Sequence, residues 1–224
     1  MPIPLQNVIF DLDGTLVDSL PGIEYAIDCA LRERNYPLRS RDVRALIGPP
    51  IRYTLQTISE ETAPEALDGL ESAFRRAYDT DGWKRTVLQP EASETLGWLV
   101  ANGRSLFIVT NKPQPATRRI IEHFGLIDFF STILSPDSKV PKYRSKAEMI
   151  RHLMLSGSVN ADDSLFVGDT REDFEAATAV GIPSVILTTG YGGFSSVPSE
   201  SGCHTLQALG ELRYLLQPSY GGVR

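Results

Sequence analysis

Cysteine is nearly absent from this chain, whose 224 residues include only Cys29 and Cys203. The two lie far apart, with no Cys-x-x-Cys spacing and no histidine pattern beside them, so neither a disulfide framework nor a zinc site organises the fold. Histidine is almost as scarce. His123, His152 and His204 fall on separate helical or loop segments, where packing or surface roles are expected. Long hydrophobic runs are missing too: no apolar stretch approaches the roughly 18 residues that a membrane-spanning helix needs. Nor is there a basic cluster. Lysine and arginine number 22 against 28 aspartates and glutamates, a formal net charge of −6. That balance argues against nucleic acid or an anionic membrane as partner, since both demand concentrated positive surface. Residues 1–14 show no basic start, apolar stretch or small-residue cleavage site, so a reducing, cytoplasmic setting is expected.

What remains is ordinary globular material, 42% hydrophobic and long enough for one large domain or for a core with a smaller companion. Four short apolar runs, residues 8–10, 106–109, 165–167 and 184–187, read as buried strands. Between them residues 91–102, 115–124, 145–155 and 171–180 carry helical spacing. Strands alternating with helices predict an α/β fold, a Rossmann-like parallel sheet covered on both faces. One interval breaks the alternation. Residues 20–34, 40–47, 51–59 and 64–80 read as helices with no strand among them, which predicts a smaller all-helical domain inserted after the first strand. The expected division is 1–17 with 90–224 as the α/β core and 18–89 as the insert. There is no internal repeat, and residues 190–202, rich in Gly and Ser, read as a loop.

Ligands of open parallel sheets bind beyond the carboxyl ends of the strands. There the sequence places Asp11-Leu12-Asp13-Gly14-Thr15, then Thr110-Asn111-Lys112, then Gly168-Asp169-Thr170-Arg171-Glu172-Asp173. The carboxylates of Asp11, Asp13, Asp169 and Asp173 and the hydroxyl of Thr110 are thus expected on one edge. Clustered aspartates are electrostatically unfavourable unless a cation joins them, and all-oxygen ligands suit a hard ion such as Mg²⁺. Magnesium in turn brings phosphate.

On these residues the chain resembles the haloacid dehalogenase superfamily. The segment from Asp11 to Ser19 is similar to its first signature, Thr110 to its second, and Gly168-Asp169-Thr170 with Asp173 to its fourth. The resemblance implies that the helical insert is a cap and that Asp11 is a nucleophile forming an aspartyl phosphate. Asp13 would be the acid/base that protonates the leaving oxygen and later activates water. It implies that Thr110 bonds the phosphoryl group. Asp11, the main-chain carbonyl of Asp13 and Asp169 would hold Mg²⁺, with Asp173 in support. An acid/base aspartate at position 13 is similar to the phosphatases of the superfamily rather than to its dehalogenases. The third signature departs from the usual Lys-Pro. Lys146, leading into the helix before the fourth signature, is the preferred lysine and Lys142 the alternate.

The insert would close over the site and read the leaving group through residues 47–53. Gly48 resembles the loop glycine of phosphoglycolate phosphatases, Arg52 is a candidate for binding a carboxylate in forked geometry, and Asn111 is a candidate substrate contact. Hydrolysis of a small phosphorylated metabolite by a monomer or homodimer is the leading expectation. A nucleoside monophosphatase or a sugar-phosphate mutase is the enzymatic alternative, and a phospho-accepting signalling module or a phosphate sensor the non-enzymatic one. Gly190-Tyr191-Gly192-Gly193 reads as a turn near the entrance, Asp18 as a hinge residue or a helix cap, and Trp83 and Trp98 as packing residues.

Overall fold

A computed structural model describes residues 5–38, 42–192 and 203–217. Six strands, β1 (Asn7–Phe10), β4 (Ser105–Val109), β5 (Phe130–Leu134), β6 (Ser164–Gly168), β7 (Ser184–Leu187) and β8 (Cys203–Leu206), form one sheet in the order β5-β4-β1-β6-β7-β8. Every pairing is parallel. At the centre Val8 is level with Leu106 on one side and Leu165 on the other.

Alternate residues of a strand face opposite sides of the sheet, and both sides here are covered. Val8, Phe10, Leu106, Ile108, Leu165 and Val167 pack on one face with Leu96 and Leu99 of helix α4 (Ala92–Ala101) and Ile120 and Ile121 of α5 (Gln114–His123). Ile9, Phe107, Val109 and Phe166 pack on the other with Met149 and Ile150 of α6 (Lys146–Leu155) and Ala176 and Ala177 of α7 (Arg171–Thr178). Two-sided burial explains why the central strands read as unbroken apolar runs.

A third core lies in the helical interval. Ile27 and Leu31 of α1 (Leu20–Glu33), Leu55 and Ile58 of α2 (Ile51–Ser59), and Leu70 and Phe74 of α3 (Pro64–Ala77) bury one another. Where the chain enters and leaves this interval, β2 (Val17–Asp18) and β3 (Val87–Leu88) pair antiparallel, Val17 with Leu88 and Asp18 with Val87. No helix among the described residues is long and apolar enough to cross a membrane.

Several expectations need correction. The helix expected over 40–47 begins outside the described residues, and its described part is a single 3₁₀ turn, Arg44–Leu46. Asp42 draws off the Arg44 N–H at 3.0 Å, and Gly48-Pro49-Pro50 prevents continuation. The helix expected to reach residue 80 ends as α at Ala77 and widens into a π turn, Tyr78–Gly82. Strands β5 and β8 escape the apolar pattern because they are the sheet edges. Their sequences, Phe-Ser-Thr-Ile-Leu and Cys-His-Thr-Leu, are half exposed. Beyond Gly192 the loop expected over 190–202 lies outside the described residues.

Candidate active site

The connections from β1 and from β6 leave in opposite directions, opening a crevice at their carboxyl ends. Asp11 follows β1, and its N–H donates to the Val167 carbonyl of β6 at 2.9 Å. Asp169 follows β6, and Thr110 follows β4 with its N–H on the Leu134 carbonyl at 3.1 Å. The chain between Asp13 and Val17 turns back through Gly14, at φ +87°. A Cβ at Gly14 would come within 2.2 Å of an Asp169 carboxylate oxygen, so only glycine lets the loop approach this closely.

Helix starts deliver the remaining groups. Lys146 opens α6 immediately after its N-cap Ser145, whose hydroxyl accepts from the Glu148 N–H. Side chains tilt toward a helix N-terminus, so Lys146 reaches back into the crevice and is 3% exposed. Its Nζ donates to Asp173 Oδ1 at 2.6 Å and lies 2.9 Å from Asp11 Oδ1. At the start of α7, Thr170 and Asp173 form a reciprocal capping box. Asp173 Oδ2 accepts from the N–H groups of Asp169 and Thr170, at 3.2 and 3.0 Å, and from the Thr170 hydroxyl. Both Asp173 oxygens are therefore occupied. Asp169 accepts from the Thr15 hydroxyl at 3.1 Å and from the Tyr191 N–H at 2.6 Å.

Burial pushes the Asp11 carboxyl well above the ordinary carboxylate range. The Lys146 ammonium pulls it back, and Asp173, Asp169 and Asp13 raise it again. Burial and then Asp173 push Asp169 up to about 7, against the Tyr191 N–H, Lys146 and Thr15. For Lys146, burial opposes the charge, but Asp11 and Asp173 outweigh it and hold the ammonium above the usual lysine range.

Oxygens of Asp11, Asp169 and Asp173 lie within 4.8 Å of one another. Asp11 Oδ1 is buried with no hydrogen-bond partner, and the Lys146 ammonium lies 2.9 Å from it as an ion pair. A buried carboxylate oxygen left unbonded among other carboxylates fits a hard divalent cation. Asp11 and Asp169 have the geometry to hold one, with Asp173 behind them orienting Lys146 and the start of α7.

Asp11, Asp13, Thr110, Asn111, Lys146 and Gly48 all line one cavity of about 350 Å³ between the sheet edge and the helical interval. Asn111 donates to the Gly48 carbonyl at 3.3 Å and to Glu172 at 2.9 Å. Gly48 has φ +122°, the left-handed region that a side chain resists. The expectation for Arg52 needs correction: its guanidinium turns away from the cavity to bond Asp68, Glu71 and the Pro64 carbonyl. Arg52→Ala is therefore expected to leave kcat/KM unchanged while slightly lowering the melting temperature. Steady-state kinetics and calorimetry on the purified variant check both. Lys142 is exposed outside the cavity. None of the three histidines lines it: His123 packs edge-on against Trp83, and His152 against Tyr143. Trp98 packs beside the sheet core, and Cys29 and Cys203 are unpaired thiols.

Two residues without a role in the sequence reading belong to the site. Lys112, 8% exposed, donates to both Asp13 oxygens at 2.9 and 3.0 Å and covers the Tyr78 ring at 4.9 Å. Tyr191, beyond serving Asp169, accepts from the N–H groups of Ser19 and Leu20 and donates to Asp18 at 2.7 Å. It thereby caps α1 and ties the helical interval to the crevice floor. Asp18 also accepts from the Leu20 N–H at 3.1 Å, a partial helix cap.

The profile of the haloacid dehalogenase-like hydrolase family matches residues 8–187. This chain belongs to that family. It is 35% identical over 192 residues to a phosphoglycolate phosphatase of Yersinia pseudotuberculosis, covering 84% of this chain and 82% of the relative. Among solved structures it resembles one from Haemophilus somnus described as a predicted phosphoglycolate phosphatase. That match has TM-score 0.84, 27% identity, and coverage of 95% and 98%. It also resembles Protein Tyrosine Kinase A of Mycobacterium tuberculosis, with TM-score 0.79, 31% identity, and coverage of 94% and 97%. Family and relatives together identify the chain as a phosphatase, a phosphoric monoester hydrolase.

Proposed function

We propose that this phosphatase hydrolyses a small phosphomonoester by way of an aspartyl phosphate on Asp11. One observation carries the reading: Asp11 faces the cavity from a buried position, with one oxygen unbonded, between a lysine and a second aspartate. Asp11, Asp169 and the main-chain carbonyl of Asp13 would hold Mg²⁺. When bound, the ion neutralises charge on the phosphoryl oxygens.

In the first half-reaction an Asp11 oxygen attacks phosphorus while the bond from phosphorus to the leaving oxygen breaks. Asp13 gives that oxygen its proton, so the product leaves as an alcohol. In the second, Asp13 takes a proton from water as the water oxygen attacks phosphorus, and Asp11 leaves with its carboxylate restored. Thr110 donates its hydroxyl to the phosphoryl group, since the Thr110 oxygen already accepts from the Lys112 N–H. Lys146 offsets the charge that Asp11 and phosphate bring together. Lys112 holds both Asp13 oxygens and so fixes the carboxyl toward the cavity. Residues 18–89 act as a cap that excludes water from the core formed by 1–17 and 90–224.

Mg²⁺-dependent phosphate release from phosphomonoesters tests the reading, with phosphoglycolate first because the relatives carry that name. Metal binding has its own signature in stability. Folded Asp169 holds its proton up to about pH 7 against an ordinary value of 3.8. The metal-free fold therefore binds the extra proton between those values and loses stability as pH rises through them. Mg²⁺ displaces that proton, so the gain in melting temperature on adding it is larger above about pH 7 than at about pH 5. Release unaffected by chelation, with no such gain, would contradict the metal assignment.

A further inference from the structure

From the charge and surface of the cavity we infer that the leaving group this enzyme prefers is an apolar-bodied alcohol without an anionic group, unlike the glycolate of phosphoglycolate. The inference rests on the reading of Asp11 as the phosphoryl acceptor and concerns what occupies the space beyond it.

A substrate carboxylate buried in such a site needs a cation free to meet it, since an unpaired buried charge is strongly unfavourable. Among the described residues lining the cavity, the cations are Lys146, Lys112 and Arg75, and each already has a carboxylate partner. Lys146 holds Asp11 and Asp173, Lys112 grips Asp13 with both oxygens engaged, and Arg75 bonds Glu71 at 2.6 Å. The two lysines lie at the phosphoryl end. Beyond them, Glu71, Asp79 and Asp137 also line the wall, and each is already engaged: Glu71 with Arg75 and Arg52, Asp79 with Arg119 at 3.5 Å, and Asp137 with the Gln114 N–H at 2.8 Å. Arg52 is turned outward onto Asp68 and Glu71. A leaving group with its own carboxylate would find no unpaired cation among the described lining residues and would have to displace an existing ion pair.

The rest of the wall is apolar. Ile23, Ile47, Pro49, Pro50, Ile51 and Phe74 face the same space, and the Phe74 and Tyr78 rings stack there at 5.6 Å with 14° between their planes. At about 350 Å³ the cavity also falls within the roughly 300 to 1,000 Å³ typical of sites that enclose drug-sized ligands. Burying an apolar body against this surface favours binding by about 25 cal/mol for each Å² removed from water, a gain that a two-carbon acid does not collect.

The test compares kcat/KM, with Mg²⁺ present, for phosphoglycolate, para-methylbenzyl phosphate and para-carboxybenzyl phosphate. The two benzyl esters have leaving groups of like size and basicity and differ in the carboxylate. The methyl compound is expected to exceed both carboxylates by about tenfold or more, the scale on which unmatched charge discriminates. In Glu71→Gln, which frees Arg75, the ratio should move back toward para-carboxybenzyl phosphate. Phosphoglycolate or the carboxybenzyl ester equal to or better than the methyl ester overturns the inference and leaves the phosphatase reading standing. Absence of metal-dependent release from all three overturns that reading, and the inference with it.

Discussion

Asp11→Asn is expected to abolish turnover while leaving the fold at least as stable as in the parent. The amide is a poor nucleophile toward phosphorus and cannot form the acyl phosphate, so a kcat lower by at least about four orders of magnitude is expected, as when other covalent catalysts lose their nucleophile. Stability runs the other way. The Asp11 carboxyl is buried, raised well above its ordinary range, and faces Asp13, Asp169 and Asp173. Removing one charge from that group relieves repulsion, and Lys146 keeps its hydrogen bond to Asp173. A catalytic group held against its electrostatic interest is a familiar exchange of stability for function. Phosphate release and thermal unfolding of the same preparation decide the matter. Activity within tenfold of the parent would remove Asp11 from the nucleophile's role, whereas a collapse of the melting transition would make its role structural.

The parts of the site that sequence alone could locate are those whose chemistry is local. Asp11 and Asp169 each follow a buried apolar run directly, so knowing the strands was enough to find them. Asp173 falls at the third position of a helix that opens with Thr170, and that spacing is itself a capping signal. Other contributions depend on partners far along the chain. Lys112 was visible at a strand end, but the Asp13 it grips is 99 residues away. Tyr191 lay in a glycine cluster that resembled an ordinary turn, and nothing nearby announces that it caps a helix 172 residues earlier.

Arg52 illustrates a different limit. Its neighbour Ile51 lines the cavity, but successive residues of an α-helix point about 100° apart, so Arg52 faces α3 and its carboxylates instead. Only the packing of α2 on α3 decides which of the two side chains enters the site. The edge strands were missed for a related reason: β8 has a single neighbour, so its composition reflects solvent rather than core. The central strands, with both faces covered, had no such freedom.

Substituting the two candidate lysines separately is expected to give opposite results. Lys146 is buried between Asp11 and Asp173, so Lys146→Met, which keeps most of the stem and removes the ammonium, leaves buried carboxylates without their counter-charge. Breaking a buried pair in this way costs about 3 to 5 kcal/mol, a loss that bound Mg²⁺ should partly offset. The same charge is aimed at the point where Asp11 and phosphate meet, so kcat should fall by roughly 10²- to 10³-fold, as when one preorganised group is removed from a charged transition state. Lys142 is exposed, and Lys142→Ala should change stability by no more than about 0.5 kcal/mol and leave kcat untouched. Measuring kcat at saturating Mg²⁺ for variants confirmed as folded separates the catalytic loss from the structural one. A large fall in kcat for Lys142→Ala, with Lys146→Met near the parent value, would transfer the role to Lys142. It would also require the segment before α6 to rearrange when substrate binds, because Lys142 in its present position cannot serve the crevice.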